Sequence, residues 1–238
     1  VLKFTVAFNK VLRRHLNDLA LEILKEHEKR SDAVASPLMR LFGRLAVHFG
    51  DLLSDDLVLL MQGLVDQTAL FGFEQMGLIW RKALGLPYAE SPGMVAKIAT
   101  YQKRNTGLIK TLTKAAIDRV KVTVEENQGE SVLTMQKALQ EDVGVSASHG
   151  RFLARDQILK LNGQLTKDRQ EDAGITKYEW VTSGDERVRP MHRALGGKEF
   201  SWDEPPKVSK DGRHEHPGGD YQCRCVANPI LDLASLKV

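Results

Sequence analysis

Asp172-Ala173-Gly174-Ile175-Thr176-Lys177-Tyr178-Glu179-Trp180-Val181-Thr182 is the stretch on which the fold turns. Before it, apolar residues recur every three or four positions. From Tyr178 to Thr182 they alternate. The first period marks an amphipathic helix and the second a strand. Gly174 follows the last helical-period residue and suits a left-handed C-cap. Composition shifts at the same place: five of the eight prolines, both cysteines and two of the three tryptophans lie beyond Gly174. The chain therefore reads as mainly α, a helical N-terminal region followed by a small C-terminal α+β domain with a short antiparallel sheet.

Upstream, Leu12, Leu16, Leu19 and Ile23 define a first amphipathic helix. Ser36-Pro37 opens a second, with Ser as N-cap and Pro at the first helical position. Ser54 is expected to cap a third, running through Leu57, Leu64, Phe71 and Leu78 to about Leu84. Gly85, Pro87, Pro92 and Gly93 form a break. A fourth helix is expected over about Gly107–Glu126, with Ile109, Leu112, Ala116 and Val120 inward. Gly129 interrupts it, and Ser131 starts a short helix through Leu139. Ser146 is expected to cap a last long helix, 146–173, with Ala154, Ile158, Leu161 and Leu165 as its stripe. Downstream, Glu199–Trp202 and Cys225–Asn228 are the further candidate strands. This divides the chain into a helical region, 1–130, and a second region, 131–238, whose loop-rich unit spans 175–238. A unit that small often needs a metal or a neighbouring domain as a staple.

With 238 residues, 42% apolar and 27% charged, the chain is of ordinary globular composition. Its longest apolar run is Leu57–Met61, far short of the roughly 20 residues a membrane span needs. No stretch has the layout of a secretory signal. The first residue is Val1, so the chain is expected to continue a longer gene product or to follow processing. From Thr176 onward ten Lys/Arg balance ten Asp/Glu, so the net charge of +3 resides entirely in residues 1–175. Two cysteines one residue apart, Cys223 and Cys225, make no disulfide framework. They are more natural as metal ligands or a redox pair in a reducing compartment.

Three groups of residues carry candidate chemistry. The first is His192, His214, His216, Cys223 and Cys225. Zinc accepts thiolate and imidazole in a tetrahedron, and residues i and i+2 of an extended segment face one side. The favoured ligand set is His192, His216, Cys223 and Cys225, a closed structural zinc site. The spacing is no standard finger, and a buried thiol pair beside solvated histidines is the plainer alternative. A nuclease reading would use His192, His214, His216 and Asn228. The second group is Asp185 to His192, where Asp185 can cap a turn and pair with Arg187 or Arg189. The third is a basic stretch. Between Lys97 and Lys121 seven basic residues face one acid, Asp118. Lys103, Lys110, Lys114 and Lys121 fall at 7-4-7 spacing on one helical face, which can bind phosphate backbones without sequence preference. A solvated face is the plainer alternative. There is no Walker loop, dinucleotide fingerprint or nucleophile elbow.

The tail resembles a known family. Ala154-Arg155-Asp156-Gln157, Asp172-Ala173-Gly174-Ile175 and Trp180-Val181-Thr182-Ser183 are similar to the opening of the phage Mu F-like domain. Asp185-Glu186-Arg187-Val188-Arg189-Pro190-Met191-His192, Leu195-Gly196-Gly197 and His216-Pro217-Gly218-Gly219-Asp220-Tyr221-Gln222-Cys223-Arg224-Cys225 are similar to its remaining landmarks. The resemblance covers about Ser131–Pro229. It implies a minor head, or head morphogenesis, protein of a tailed phage or prophage, located in the virion at the capsid interior or portal vertex and in the host cytoplasm during assembly. The partners implied are the portal protein, other head proteins and double-stranded DNA bound non-specifically. No enzymatic activity is implied, and a metal-dependent nuclease or toxin is the competing class. Relatives carry Cys or His near His192, which suits a folding staple, whereas Arg189 stands where some have Cys. The motif residues Trp180, Asp185, Arg187, Arg189, His192, Cys223, Arg224 and Cys225 serve equally well as hydrogen-bonded determinants of the fold.

Overall fold

The computed structural model describes residues 2–28, 36–127 and 130–236. In chain order the elements are α1 (Leu2–Glu28), α2 (Ser36–Leu84), α3 (Pro92–Glu126), α4 (Val132–Asp172), β1 (Lys177–Val181), α5 (Pro190–Leu195), β2 (Glu199–Ser201) and β3 (Val226–Ile230). The mainly helical architecture with a small C-terminal antiparallel sheet is as the sequence predicts. The expected roles of the Ser36 side chain and of Gly129 lie outside the described residues.

The helices are fewer and longer than expected. Ser54 and Ser146 cap nothing; both lie inside continuous helices. In α4 the reason is an unbroken buried stripe. Leu139, Val143 and Ala147 lead into Ala154, Ile158, Leu161 and Leu165, all buried. Burial along that face outweighs the weak propensity of Gly144 and Ser146. Ser131 does cap α4, accepting a hydrogen bond from the Thr134 N–H at 3.2 Å. The break at 85–91 forms as expected, but α3 starts at Pro92 rather than near Gly107.

One stripe is corrected. Leu57 and Leu64 are buried, but Phe71 is 54% and Leu78 59% exposed. A strict seven-residue repeat drifts about 20° per heptad on a straight helix. By the third and fourth members it has left the core face. Met61, Val65, Ala69, Met76 and Trp80 take over the buried side.

The expected partition at residue 130 differs from the compact units, which are discontinuous in sequence. One comprises 1–63 and 103–154; the other comprises 64–102 and 155–238. Helices α2, α3 and α4 each contribute one part to either unit. The first unit buries Phe8, Leu12, Leu16, Leu19 and Ile23 of α1 with Leu53, Leu57, Ile109, Leu112, Ala116, Val120 and Leu139. In the second, Val65, Ala69, Met94, Leu161 and Leu165 form one apolar cluster, and Met76, Trp80, Ala173 and Ile175 another.

The end of α4 positions the sheet. Gly174 has φ +82°. The Ile175 N–H bonds to Gln170 O at 2.8 Å and the Gly174 N–H to Glu171 O at 3.0 Å, the paired bonds of a Schellman cap. The chain then enters β1, the central strand in the order β2-β1-β3, antiparallel to both neighbours. Tyr178 pairs with Phe200 on one side and Pro229 on the other, and Trp180 with Ala227. Tyr178 and Trp180 share a face and are fully buried with Trp202, Val208, Cys223, Cys225 and Ala227.

Gln170 ties α4 to this sheet. Its Nε2 donates to Ala227 O at 3.1 Å, and its Oε1 accepts from Trp202 Nε1 at 3.0 Å. Replacing it by Leu leaves a buried carbonyl and a buried indole N–H unpaired, which costs about 2–4 kcal/mol in total. All three tryptophans, Trp80, Trp180 and Trp202, belong to the second unit. Urea unfolding followed by tryptophan fluorescence is therefore expected to show Gln170→Leu destabilised by that amount. An unchanged midpoint refutes the clamp.

Candidate functional site

The motif residues converge through three short segments, all in the second unit. The first is the turn at Asp185. Its Oδ1 accepts the Arg187 N–H at 3.1 Å, and the Val188 N–H bonds to Asp185 O at 3.2 Å. The Arg224 guanidinium grips the same carboxylate with two bonds, one of 2.7 Å from Nη2 to Oδ1. Arg224 holds the Asp185 carboxyl below the usual carboxylate range. Arg187 contributes its backbone N–H here and leaves its side chain exposed. Pro190 then occupies the first position of α5, and this short helix turns His192 inward, 2% exposed.

The second segment is the turn His216-Pro217-Gly218-Gly219, closed by the Gly219 N–H to His216 O at 3.0 Å. Gly218 has φ +86° and lies against the backbone of α4, where a methyl group added to it would sit 3.0 Å from Gly163 Cα. A methyl group at Gly163 would sit 2.6 Å from Pro217 O. The turn docks because both surfaces lack side chains, which explains why the motif carries glycines after His-Pro.

The third segment is the knuckle from Asp220 to Cys225. Cys223 N–H bonds to Asp220 O at 3.1 Å. Gln222 adopts a left-handed φ of 50°, and its N–H bonds to Asp156 Oδ1 of α4 at 2.7 Å. Both cysteines are free and buried. Their sulfurs lie 3.4 and 3.6 Å from His192 Nδ1, so His192, Cys223 and Cys225 can offer three donors to one ion. Behind them, His192 Nε2 is 3.1 Å from Asp220 Oδ2. That carboxylate directs Nδ1 at the sulfurs, as the outer carboxylate of a metal-ligating His does. Asp220 in turn takes Arg189 Nη1 at 2.9 Å and Arg213 Nη1.

The surroundings favour ionised sulfur. Cys225 S–H, His192 and the backbone N–H groups of Gly218 and Cys225 pull the Cys223 thiol well below its usual pKa. Cys225 is pushed up, chiefly by its neighbour's sulfur. Among the described residues the buried Trp180 indole N–H has no close hydrogen-bond partner, and it lies near enough to Cys225 to favour its thiolate. Trp180 also meets His192 edge-on at 5.5 Å. The donor chemistry fits a thiophilic ion such as zinc.

His216, expected as the fourth ligand, is elsewhere. Lys167 Nζ approaches its Nε2 at 3.3 Å, and its Nδ1 meets the Tyr178 hydroxyl at 2.9 Å. Both ring nitrogens are thus engaged away from the sulfurs, with the Trp202 ring tilted by 60° against the imidazole at 4.8 Å. The alternative nuclease set does not converge either. His214 is exposed and bonds Gly212 O at 2.9 Å, while Asn228 faces Glu179 at 3.4 Å. Lys103, Lys110, Lys114 and Lys121 all project from α3 in the first unit and are exposed. Of these, Lys121 lies 3.7 Å from Glu125. Sequence reasoning missed Asp156, Asp220, Gly163 and Gln170. The acids at 156 and 220 lay within the quoted motifs, but their partners are 66 and 28 residues away.

Burial and the Lys167 charge push the His216 pKa down to about 4. Its folded value lies below the ordinary 6.5, so the unfolded chain binds more protons between those values. Stability of the second unit is expected to be constant above about pH 6.5, to fall as pH drops toward 4, and to level off below. His216→Gln is expected to remove this component from fluorescence-monitored unfolding across that range. An unchanged pH dependence overturns the assignment.

Residues 118–228 match the family described as Phage Mu protein F like protein. A relative from Haemophilus influenzae, carrying the name uncharacterized protein, is 38% identical over 144 residues. The match covers 60% of this chain and 31% of that relative, so the chain spans about a third of the relative's length. No solved structure matches. The landmarks from Trp180 to Cys225 all fall inside the matched residues, so over 118–228 the chain is similar to the family described as Phage Mu protein F like protein.

Proposed function

We propose that this chain is a non-enzymatic minor head component of a tailed phage or prophage, which contacts the portal and other head proteins and binds duplex DNA through α3. The similarity of residues 118–228 to the Phage Mu protein F like family supports the head role. The observation that carries the DNA contact is the exposed lysine face. Lys103 to Lys121 spans about 27 Å of helix at 1.5 Å per residue, a length that can track several phosphates. No helix among the described residues is long and apolar enough to cross a membrane. A portal surface of acidic character is the competing partner for the same face.

If three or four phosphates are neutralised, log K is expected to fall with log salt at a slope of roughly −3. Lys110→Gln with Lys114→Gln is expected to weaken binding to all duplex sequences alike and to flatten the slope by about two, because phosphate contacts carry no base information. Equal affinities of wild type and double variant at low salt reject the DNA contact and favour the portal.

The same proposal gives the C-terminal unit a structural zinc on His192, Cys223 and Cys225. The ion would bind both sulfurs as thiolates and convert ligand affinity into folding free energy. Elemental analysis is expected to find about one zinc per chain. Cys223→Ser with Cys225→Ser should abolish it and loosen the packing around Trp180 and Trp202, while α1 stays folded. Metal-free protein that unfolds no more easily than metal-loaded protein removes zinc from this account.

A further inference from the structure

Tyr221 is the most conspicuous exposed aromatic of the second unit that the metal centre does not use. It sits in the knuckle between Asp220 and Gln222, yet its side chain points outward and is 57% exposed. The backbone around it is pinned by three hydrogen bonds. Tyr221 N–H bonds to Asp220 Oδ1 at 2.8 Å, and Tyr221 O accepts from Arg189 Nη2 at 2.8 Å. Gln222, next in the chain, is held in a left-handed conformation by its bond to Asp156. A non-glycine residue there costs free energy that the surrounding bonds must supply.

Cations are set around the ring. Lys160 Nζ lies 4.8 Å from its centroid and the Arg213 guanidinium 5.1 Å. Each is aimed by a buried carboxylate: Lys160 by Asp156 at 2.8 Å, and Arg213 together with Arg189 by Asp220. Asp211 holds Arg213 further out, at 3.1 Å. The arginine side chains remain 41% (Arg189) and 38% (Arg213) exposed. An arginine has five N–H donors, and the bonds named here occupy only part of each fork. The result is a rigidly held, exposed aromatic ring with Lys160 and Arg213 over it and two arginine side chains partly open to solvent.

We infer that Tyr221, with Arg189, Arg213 and Lys160, forms a contact site for an unpaired nucleic-acid strand, separate from the duplex-binding lysine face of α3. A flat aromatic offers stacking to an unpaired base, and the adjacent guanidiniums offer bonds to its phosphates. A duplex hides its base faces and would gain little from the ring. An acidic peptide would use the guanidiniums but not the stacking surface. Because Asp156, Asp211 and Asp220 already balance the cations, little counterion release is available. Binding here depends weakly on salt, unlike binding at α3.

The test uses the full chain carrying Lys110→Gln and Lys114→Gln, so that the α3 face is disabled. Fluorescence anisotropy with a labelled thymidine oligonucleotide of roughly a dozen residues, a length within the range that single-strand folds cover, reads the site. Tyr221→Leu is expected to weaken binding about tenfold, and Tyr221→Phe to retain it. The salt slope is expected near −1. No binding by the parent chain, or equal binding by Tyr221→Leu, overturns the inference. Displacement by poly-glutamate as readily as by unlabelled oligonucleotide also overturns it, and assigns the face to acidic polypeptides. Tyr221 lies outside the α3 contact, so failure here leaves the duplex-binding proposal standing, and the reverse holds too.

Discussion

One buried amide, Gln170, sets the geometry on which the C-terminal architecture depends. It is 2% exposed, and both ends of its side chain are satisfied, by Trp202 next to β2 and by Ala227 in β3. An amide has a donor end and an acceptor end, so it accepts only one arrangement of those two partners. Its backbone carbonyl meanwhile accepts the Ile175 N–H that closes the end of α4. Helix end, central strand and both flanking segments are thus fixed relative to one side chain. The free edge of the sheet is protected by the same device. Ala227 O is capped by Gln170, and Pro229 has no N–H to offer.

With the sheet so placed, the motif residues sort by what they touch. Asp185 and Arg224 join the turn before α5 to the knuckle and make no contact with the sulfurs. Asp220 serves both purposes, orienting His192 on one side and gathering Arg189 and Arg213 on the other. Among the described residues, His192, Cys223 and Cys225 alone carry ligand atoms at a common point. His216 stays with the scaffold, as a neutral imidazole between Tyr178 and Lys167. The conspicuous His-Pro-Gly-Gly run is therefore a docking turn first. Its contribution to the sulfur site is the backbone N–H of Gly218.

What the sequence made legible follows from the range of each interaction. The Gly174 cap, the alternation of β1, the Ser131 cap and the break at 85–91 are local, and each appears in the structure close to where its residues announce it. Helix continuity is not local. Ser54, Gly144 and Ser146 look like interruptions because their propensities are weak, but burial on a continuous face decides the matter. The exposure of Phe71 and Leu78 reflects the difference between a period of 3.5 and one of 3.6. In the site, residue types disclosed the ligands but not which imidazole would face the sulfurs. That choice is made by Asp220, Lys167 and Tyr178, residues far apart in sequence whose convergence is a property of the fold.

The span of the family match has a structural reason. Most of its motifs lie beyond Gly174, yet the matched residues begin at 118, inside α3. The tail alone presents a small apolar cluster around Tyr178, Trp180 and Trp202, less core than an independent domain of that size requires. What completes it comes from α4: Asp156 holds the knuckle, Gly163 receives the turn, Lys167 reaches Trp202 O and His216, and Gln170 clamps the sheet. Helix α4 is itself held in the second unit by α3, where Tyr101 donates to the buried Asp168 at 2.7 Å and Lys97 lies 3.4 Å from it. The sheet thus cannot be separated from the two helices that precede it, and it depends on residues of α4 that carry no conspicuous chemistry of their own, Gly163 and Gln170 among them.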